Sequence, residues 1–452
     1  MSCAARGDAV SAPPRDESPP DVTLGEATRV WAKIGLLSFG GPAGQIALMH
    51  RILVDEKRWI DEKRFLHALN FCMLLPGPEA QQLATYVGWL LHRVRGGLVA
   101  GTLFILPGFA VILGLSFLYV TAGSVPTIQG LFVGLKAAVV VIVLQAVIRI
   151  GRRSLRSVVP ATIAVLAFLA MFVWKVPFPY VILSAAVAGA LLSRVSNPET
   201  VREPDDIEEQ TGSPAAGTSY VVRCIAVFGA LWLAPTVALV AALGPDNVFS
   251  SIGLFFSKMA VVTFGGAYAV LAYVSQEAVT TYHWLAPGEM IDGLAMAETT
   301  PGPLIMVTQF VGFVAAYRDP GTLPPGIAAV LGGALTTWVT FVPCFLWISA
   351  GAPYIERLRR NRVLSDALSG VTAAVVGVVV NLALWFSIHA LFATVSLRRF
   401  AGAAVEVPVF SSLQIPALLI TLVAAVLVFA YRASVIGTLA AAGALGVVTS
   451  LL

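Results

Sequence analysis

The chain has 452 residues, of which 58% are hydrophobic and 12% charged, with a net charge of +4. Soluble domains run at about 45–50% apolar and about 25% charged, so an ordinary soluble protein is excluded. The apolar residues fall in long runs rather than short alternating segments, which excludes an outer-membrane barrel and leaves a polytopic helical membrane protein.

Residues 1–21 contain no apolar core; they read as a disordered cytoplasmic tail rather than a cleavable signal peptide. Apolar segments follow near 24–52, 65–92, 97–120, 126–150, 158–174 and 177–195. An acidic, polar linker spans 196–219, with Glu199, Glu203, Asp205, Asp206, Glu208 and Glu209. A lone apolar segment at 220–244 is the expected linking transmembrane helix. A second set runs near 249–278, 288–317, 324–350, 363–391, 410–431 and 433–451. The domain reading is therefore one unit over 22–195 and another over 247–452. Cys3, Cys72, Cys224 and Cys344 are scattered without metal-ligand spacing, so neither a metal nor another cofactor is expected.

The two sets are copies. Lys33, Phe39-Gly40-Gly41, Trp59 and Pro76-Gly77-Pro78 recur as Lys258, Phe264-Gly265-Gly266, Trp284 and Pro301-Gly302-Pro303, all at a spacing of 225 residues. The match then resumes at a spacing of 236, where Pro107 meets Pro343 and Gly134 meets Gly370. Internal repeats with glycine and proline breaks are a signature of transporters.

Loop charges orient the copies, because cytoplasmic loops are enriched in lysine and arginine. Arg51, Lys57, Arg58, Lys63 and Arg64 have no basic counterparts in residues 275–290, whereas Arg357, Arg359, Arg360 and Arg362 answer an uncharged stretch at 121–130. The bias reverses between copies, so the repeats are read as inverted, with a cytoplasmic N-terminus. The same charges favour re-entrant hairpins over tilted crossings for the first two segments of each copy, with the breaks at the hairpin tips. The expected fold is thus all-α and polytopic. Each inverted repeat has two broken, re-entrant segments plus four membrane-spanning helices, and an extra crossing joins the repeats.

A half-helix that begins inside a membrane presents unpaired N–H groups and a positive dipole end, which suits an anion. The candidate binding residues are therefore Phe39, Gly40, Gly41, Pro42 and Gln45; Pro76, Gly77, Pro78 and Gln81; Phe264, Gly265, Gly266 and Tyr268; and Thr300, Pro301, Gly302 and Pro303. Lys33 and Lys258 join them as repeat-matched intramembrane lysines. Glu79 and Glu298 flank the Pro-Gly-Pro breaks on opposite sides and are candidates for carrying a coupling proton. No phosphate-binding loop for ATP and no catalytic motif is found in the sequence. These residues leave the identity of the oxyanion open.

The pairing of KIGLLSFGGPAGQIALMH and LPGPEAQQLATYVGW with KMAVVTFGGAYAVLAYV and TTPGPLIMVTQFVGF resembles the chromate ion transporter family in its long, two-copy form. The resemblance covers most of 24–450. It implies a bacterial inner-membrane protein with two oppositely oriented halves that exports chromate, a tetrahedral dianion shaped like sulfate. Its partners would be chromate, or sulfate, and the lipid bilayer, with no role for nucleic acid. One departure from symmetry is Pro42, matched by Ala267. The alternatives are an uptake system for sulfate or a related oxyanion, and an anion channel.

Overall fold

The computed structural model describes residues 22–123, 125–196, 218–354, 362–400 and 403–451. The 1–21 tail and nearly all of the 196–219 linker lie outside the described residues. The first copy contains α1 (Leu24–Leu37), α2 (Gly41–His50) with a π-helical extension (Arg51–Glu56), α3 (Glu62–Cys72), α4 (Glu79–Ala122), α5 (Pro126–Ser154), α6 (Val158–Phe172) and α7 (Phe178–Ser196). After α8 (Thr218–Leu243), the second copy contains α9 (Val248–Val262), α10 (Ala267–Gln276) with its π extension (Glu277–Thr281), and α11 (Pro287–Thr299). A 3₁₀ turn (Leu304–Met306) leads into α12 (Val307–Arg318), followed by α13 (Pro325–Gly351), α14 (Arg362–Leu391), α15 (Ile415–Ala425) and α16 (Val435–Leu451). Among the described residues, five stretches are long and apolar enough to cross a membrane: Glu79–Ala122, Pro126–Ser154, Thr218–Leu243, Pro325–Tyr354 and Val363–Leu391.

Local chemistry sets the helix starts. The Thr23 side chain accepts from Glu26 N at 3.2 Å, Asp61 from Arg64 N at 2.8 Å and Asn247 from Phe249 N at 2.9 Å, so α1, α3 and α9 each begin on an N-cap. The breaks fall at the glycine motifs. Gly40 and Gly265 both have φ +83°, Gly41 and Gly266 have +71° and +91°, and Gly77 and Gly302 have +126° and +92°. Side chains with a Cβ rarely enter this region, so glycine is what permits these turns.

The broken segments turn back on themselves. α1 has 14 residues, roughly 20 Å of helix, too short for a hydrocarbon core of about 30 Å. Its start is joined to the far end of the α2 extension by Lys57 Nζ to Glu26 Oε1 at 2.9 Å, which closes a hairpin with its tip at Gly40. α4 is continuous only nominally. Arg93 has φ +53° and ψ −144°, and beyond it the helix runs back along its own first arm. Gly88 there packs backbone to backbone with Gly96, and a Cβ on Gly97 would lie 3.1 Å from Thr85 O. The His92 ring donates to Val22 O at 2.7 Å, so the base of the second hairpin sits beside that of the first. In the second copy Arg318 at the end of α12 clamps Glu289 at the start of α11, with Nη2 to Oε1 at 2.6 Å and Nη1 to Oε2 at 3.0 Å.

α8 runs between the two sets of bases. Tyr220 near its start accepts from Trp89 Nε1 at 3.1 Å, and its end leads into the cap of α9. Its 26 residues make roughly 39 Å of helix, long enough to cross a membrane.

The outer helices exchange partners between copies. α5 packs on α15 and α16, α14 packs on α6 and α7, and α5 meets α14. Both crossings use small residues that bring backbones together: Gly130 and Gly134 lie against Gly446 and Ala442, while Gly370 lies against Gly189 and Ala185. One element was unforeseen. Between the apolar segments expected at 363–391 and 410–431, β1 (Val395–Phe400) and β2 (Ala403–Pro408) pair antiparallel in a hairpin. It is tied to the α6–α7 turn by Ala404 N to Val173 O at 3.0 Å and by Lys175 Nζ to Glu406 at 3.6 Å.

Candidate functional site

The four hairpin tips meet, and two backbone bonds between them join the two copies. Gly77 N donates to Thr263 O at 2.9 Å, and Gly302 N donates to Ser38 O at 2.9 Å. These are the same bond made twice, since Gly302 and Thr263 are the repeat counterparts of Gly77 and Ser38. Ser38 Oγ in turn donates to Ile34 O at 2.6 Å, and Thr263 Oγ1 likewise donates to Met259 O. The glycine turn frees each N–H from helix bonding and aims it at the opposite tip.

A small recess lies where the tips converge, lined by Pro42, Gln45, Pro78, Glu79, Ala80, Ala267, Pro303, Leu304 and Ile305. Pro42 lies in the first turn of α2, Glu79 and Ala80 begin α4, Ala267 begins α10, and Leu304 opens the turn into α12. Four half-helix N-termini, two from each copy, therefore face one point. Each end is equivalent to roughly half a positive charge. The recess has room for roughly one water molecule, about 10 Å³.

Polar side chains enter this field from single copies. Gln45 is 1% exposed, donates Nε2 to Gly302 O at 2.6 Å, and keeps Oε1 without a hydrogen-bond donor. Glu298, 2% exposed, accepts at Oε1 from the Tyr268 hydroxyl at 2.8 Å. Its other oxygen would lie 3.9 Å from a Cβ on Gly41, at the start of α2. Glu79 Oε1 would lie 3.4 Å from a Cβ on Gly266, the N-cap of α10. Each carboxylate thus faces a half-helix N-terminus belonging to the other copy.

The remaining candidates divide. Pro76 O is bonded by Gln82 Nε2 at 2.7 Å, which shapes the second tip. Gln81 turns away and donates to the Thr85 hydroxyl at 3.0 Å. Thr300 Oγ1 donates to Ala297 O at 3.2 Å, and Pro301 is buried beside it. Phe39, Gly40, Phe264 and Gly265 are half-buried at the tips. Lys33 and Lys258 are exposed and are not among the residues lining the recess. Sequence reasoning passed over Ala80, Ala267, Leu304 and Ile305 as site residues because they are apolar. The repeat could have found two of them, since Ala267 answers Pro42 and Leu304 answers Glu79.

Broken helical segments meeting inside an apolar helical bundle define an all-α polytopic membrane protein. The chain belongs to the chromate transporter family, whose model matches residues 25–190 and 250–447 and so takes in both copies. A chromate transport protein of Pseudomonas aeruginosa is 34% identical over 365 residues, covering 80% of each chain. One of Cupriavidus metallidurans is 27% identical over 367 residues, covering 80% of this chain and 82% of its own. An uncharacterized transporter of Bacillus subtilis is 26% identical over 160 residues, which make up 90% of that protein but 35% of this one. No solved structure matches the chain.

Proposed function

We propose that this protein is a secondary transporter that exports an oxyanion, chromate in the first place, across the bacterial inner membrane. The observation that carries the reading is the convergence of four half-helix N-termini on one recess between the copies. Such ends are suited to an anion, and their setting at the junction of two repeats matches the midplane sites of repeat-built carriers. The relatives named as chromate transport proteins supply the choice of ion.

The two copies are taken to lie inverted in the bilayer. The hairpin bases at opposite ends of α8 support this, and the basic loop of Arg51, Lys57, Arg58, Lys63 and Arg64 assigns the first base to the cytoplasm. The N-terminus then lies inside. An oxyanion is larger than one water molecule, so the tips part to admit it, and the two crossing bonds at Gly77 and Gly302 are the contacts that open. With the cell interior negative, the potential contributes about 2.3 kcal/mol per charge per 100 mV towards expelling an anion.

Purified protein in proteoliposomes, assayed with radiolabelled chromate and sulfate under separately imposed potential and pH gradients, tests the reading. Saturable flux of low turnover is expected. No flux of either ion, or large unitary currents, would overturn it. In cells, lower chromate accumulation with the protein than without is expected, and higher accumulation would identify an uptake system instead.

A further inference from the structure

Two carboxylates, Glu79 half-buried in the recess and Glu298 buried near its tips, stand at the helix ends proposed to hold the anion. Near each other in a low-dielectric setting, a carboxylate and a dianion repel strongly. The carboxylates are also not stray. Glu298 is held by Tyr268 against the start of α2, and Glu79 lies against the N-cap of α10, the two places where an anion gains most from the helix ends. We infer that Glu79 and Glu298 compete with the oxyanion for the same half-helix N-termini, each yielding its seat by taking up a proton as the oxyanion binds. The inference rests on the oxyanion site proposed above and adds the identity of the groups that link it to protons.

A second feature of the recess points the same way. Gln45 commits its Nε2 to Gly302 O, which leaves a buried carbonyl oxygen, Oε1, in a recess shared with Glu79 and lacking a donor. An amide oxygen adds nothing for a bare dianion, but it accepts the O–H of a protonated carboxyl. For Glu298, neutralisation frees the Tyr268 hydroxyl from a charged acceptor and makes it available to the oxyanion. The balance is simple: one proton joins one carboxylate oxygen on binding and leaves it on release, with no bond broken in the oxyanion, and each proton that crosses with the oxyanion cancels one of the charges on which the potential acts.

Other charged and titratable groups reach these two from neighbouring helices. The Arg149 guanidinium of α5 lies within electrostatic range of Glu298 and Tyr268, and the Cys72 thiol of α3 within that of Glu79. On α11 itself Asp292 is already paired, to Lys136 Nζ at 3.3 Å and the Tyr119 hydroxyl at 3.1 Å, and so is not free to play the same part.

The test titrates the purified full-length protein with sulfate, which stays a dianion from mildly acidic to mildly alkaline pH, unlike chromate. In the wild type the dissociation constant should fall about tenfold per pH unit lowered for each carboxylate linked. Glu79→Gln and Glu298→Gln should each flatten that slope and bind sulfate more tightly at alkaline pH. Glu79→Asp and Glu298→Asp should keep the slope, which separates loss of the charge from loss of the fold. In weakly buffered solution, sulfate addition should draw protons from the medium in the wild type and fewer in each glutamine variant. A slope unchanged in both glutamine variants, or a wild-type affinity indifferent to pH, would overturn the inference while leaving the oxyanion site intact. Failure of the wild type to bind either sulfate or chromate would remove the site itself.

Discussion

At Gly77 the backbone sits at φ +126°, and a Cβ there would come within 2.7 Å of Gln82 Nε2 and 3.0 Å of Cys344 Sγ. Gly77→Ala is therefore expected to lower stability by about 1–3 kcal/mol, read as a fall in melting temperature in detergent, and to reduce flux by distorting the bond to Thr263. Gln45→Leu removes the donor to Gly302 O and leaves that carbonyl buried without it. A loss of about 1–3 kcal/mol is expected, together with weaker sulfate binding in calorimetry. Lys33→Ala and Lys258→Ala should leave the sulfate dissociation constant unchanged, because both side chains point out of the core. The glycines were legible in the sequence because repetition at fixed spacing marks a backbone need. The lysines were legible by the same rule, but a repeated residue on a helix also needs a facing direction. Direction depends on which side of α1 or α9 is buried, and Ile34 and Met259 beside them take the buried positions.

Among elements, the close crossings of α5 with α16 and of α14 with α7 hold the scaffold around the tips. A side chain at Gly370 would run into the Ala185 carbonyl and the Gly189 backbone. Gly370→Val is expected to cost about 1–3 kcal/mol or more and to broaden the size-exclusion peak, whereas the same change at Gly114, which has open space around it, should not. The element correspondence extends further than the sequence match. Lys175 follows α6 and Arg432 follows the π-helical extension of α15 (Val426–Ala430), both with φ +53°, and α6, α7, α15 and α16 begin at Val158, Phe178, Ile415 and Val435 at one spacing of 257 residues. That spacing is invisible in the sequence because lipid-facing and small packing residues interchange freely. It differs from 236 because the β1–β2 hairpin is inserted in the second copy. The strands carry no sequence signal because six residues each are too few to show clear alternation.

For the whole molecule, the contacts that matter run between the copies rather than within them: tip to tip at Gly77–Thr263 and Gly302–Ser38, and helix to helix at α5 and α14. Chains cut between residues 196 and 218 and expressed together should co-purify as one complex with flux, while neither half alone should give a monodisperse protein. The fold class and the existence of the four breaks were readable from composition and repetition, but the meeting of the tips was not. No local pattern states which break faces which, and that pairing follows only from packing across the two halves. The pairing has a consequence for what a fused chain can do. In an assembly of two identical subunits, every group at the axis would appear twice, and a carboxylate there would confront its own image. Here Glu79 faces Leu304 as its counterpart, Glu298 has Met73, Gln45 has Val270 and Tyr268 has Ala43. Two copies within one chain release these positions from symmetry, so that Glu79, Glu298, Gln45 and Tyr268 are each present once.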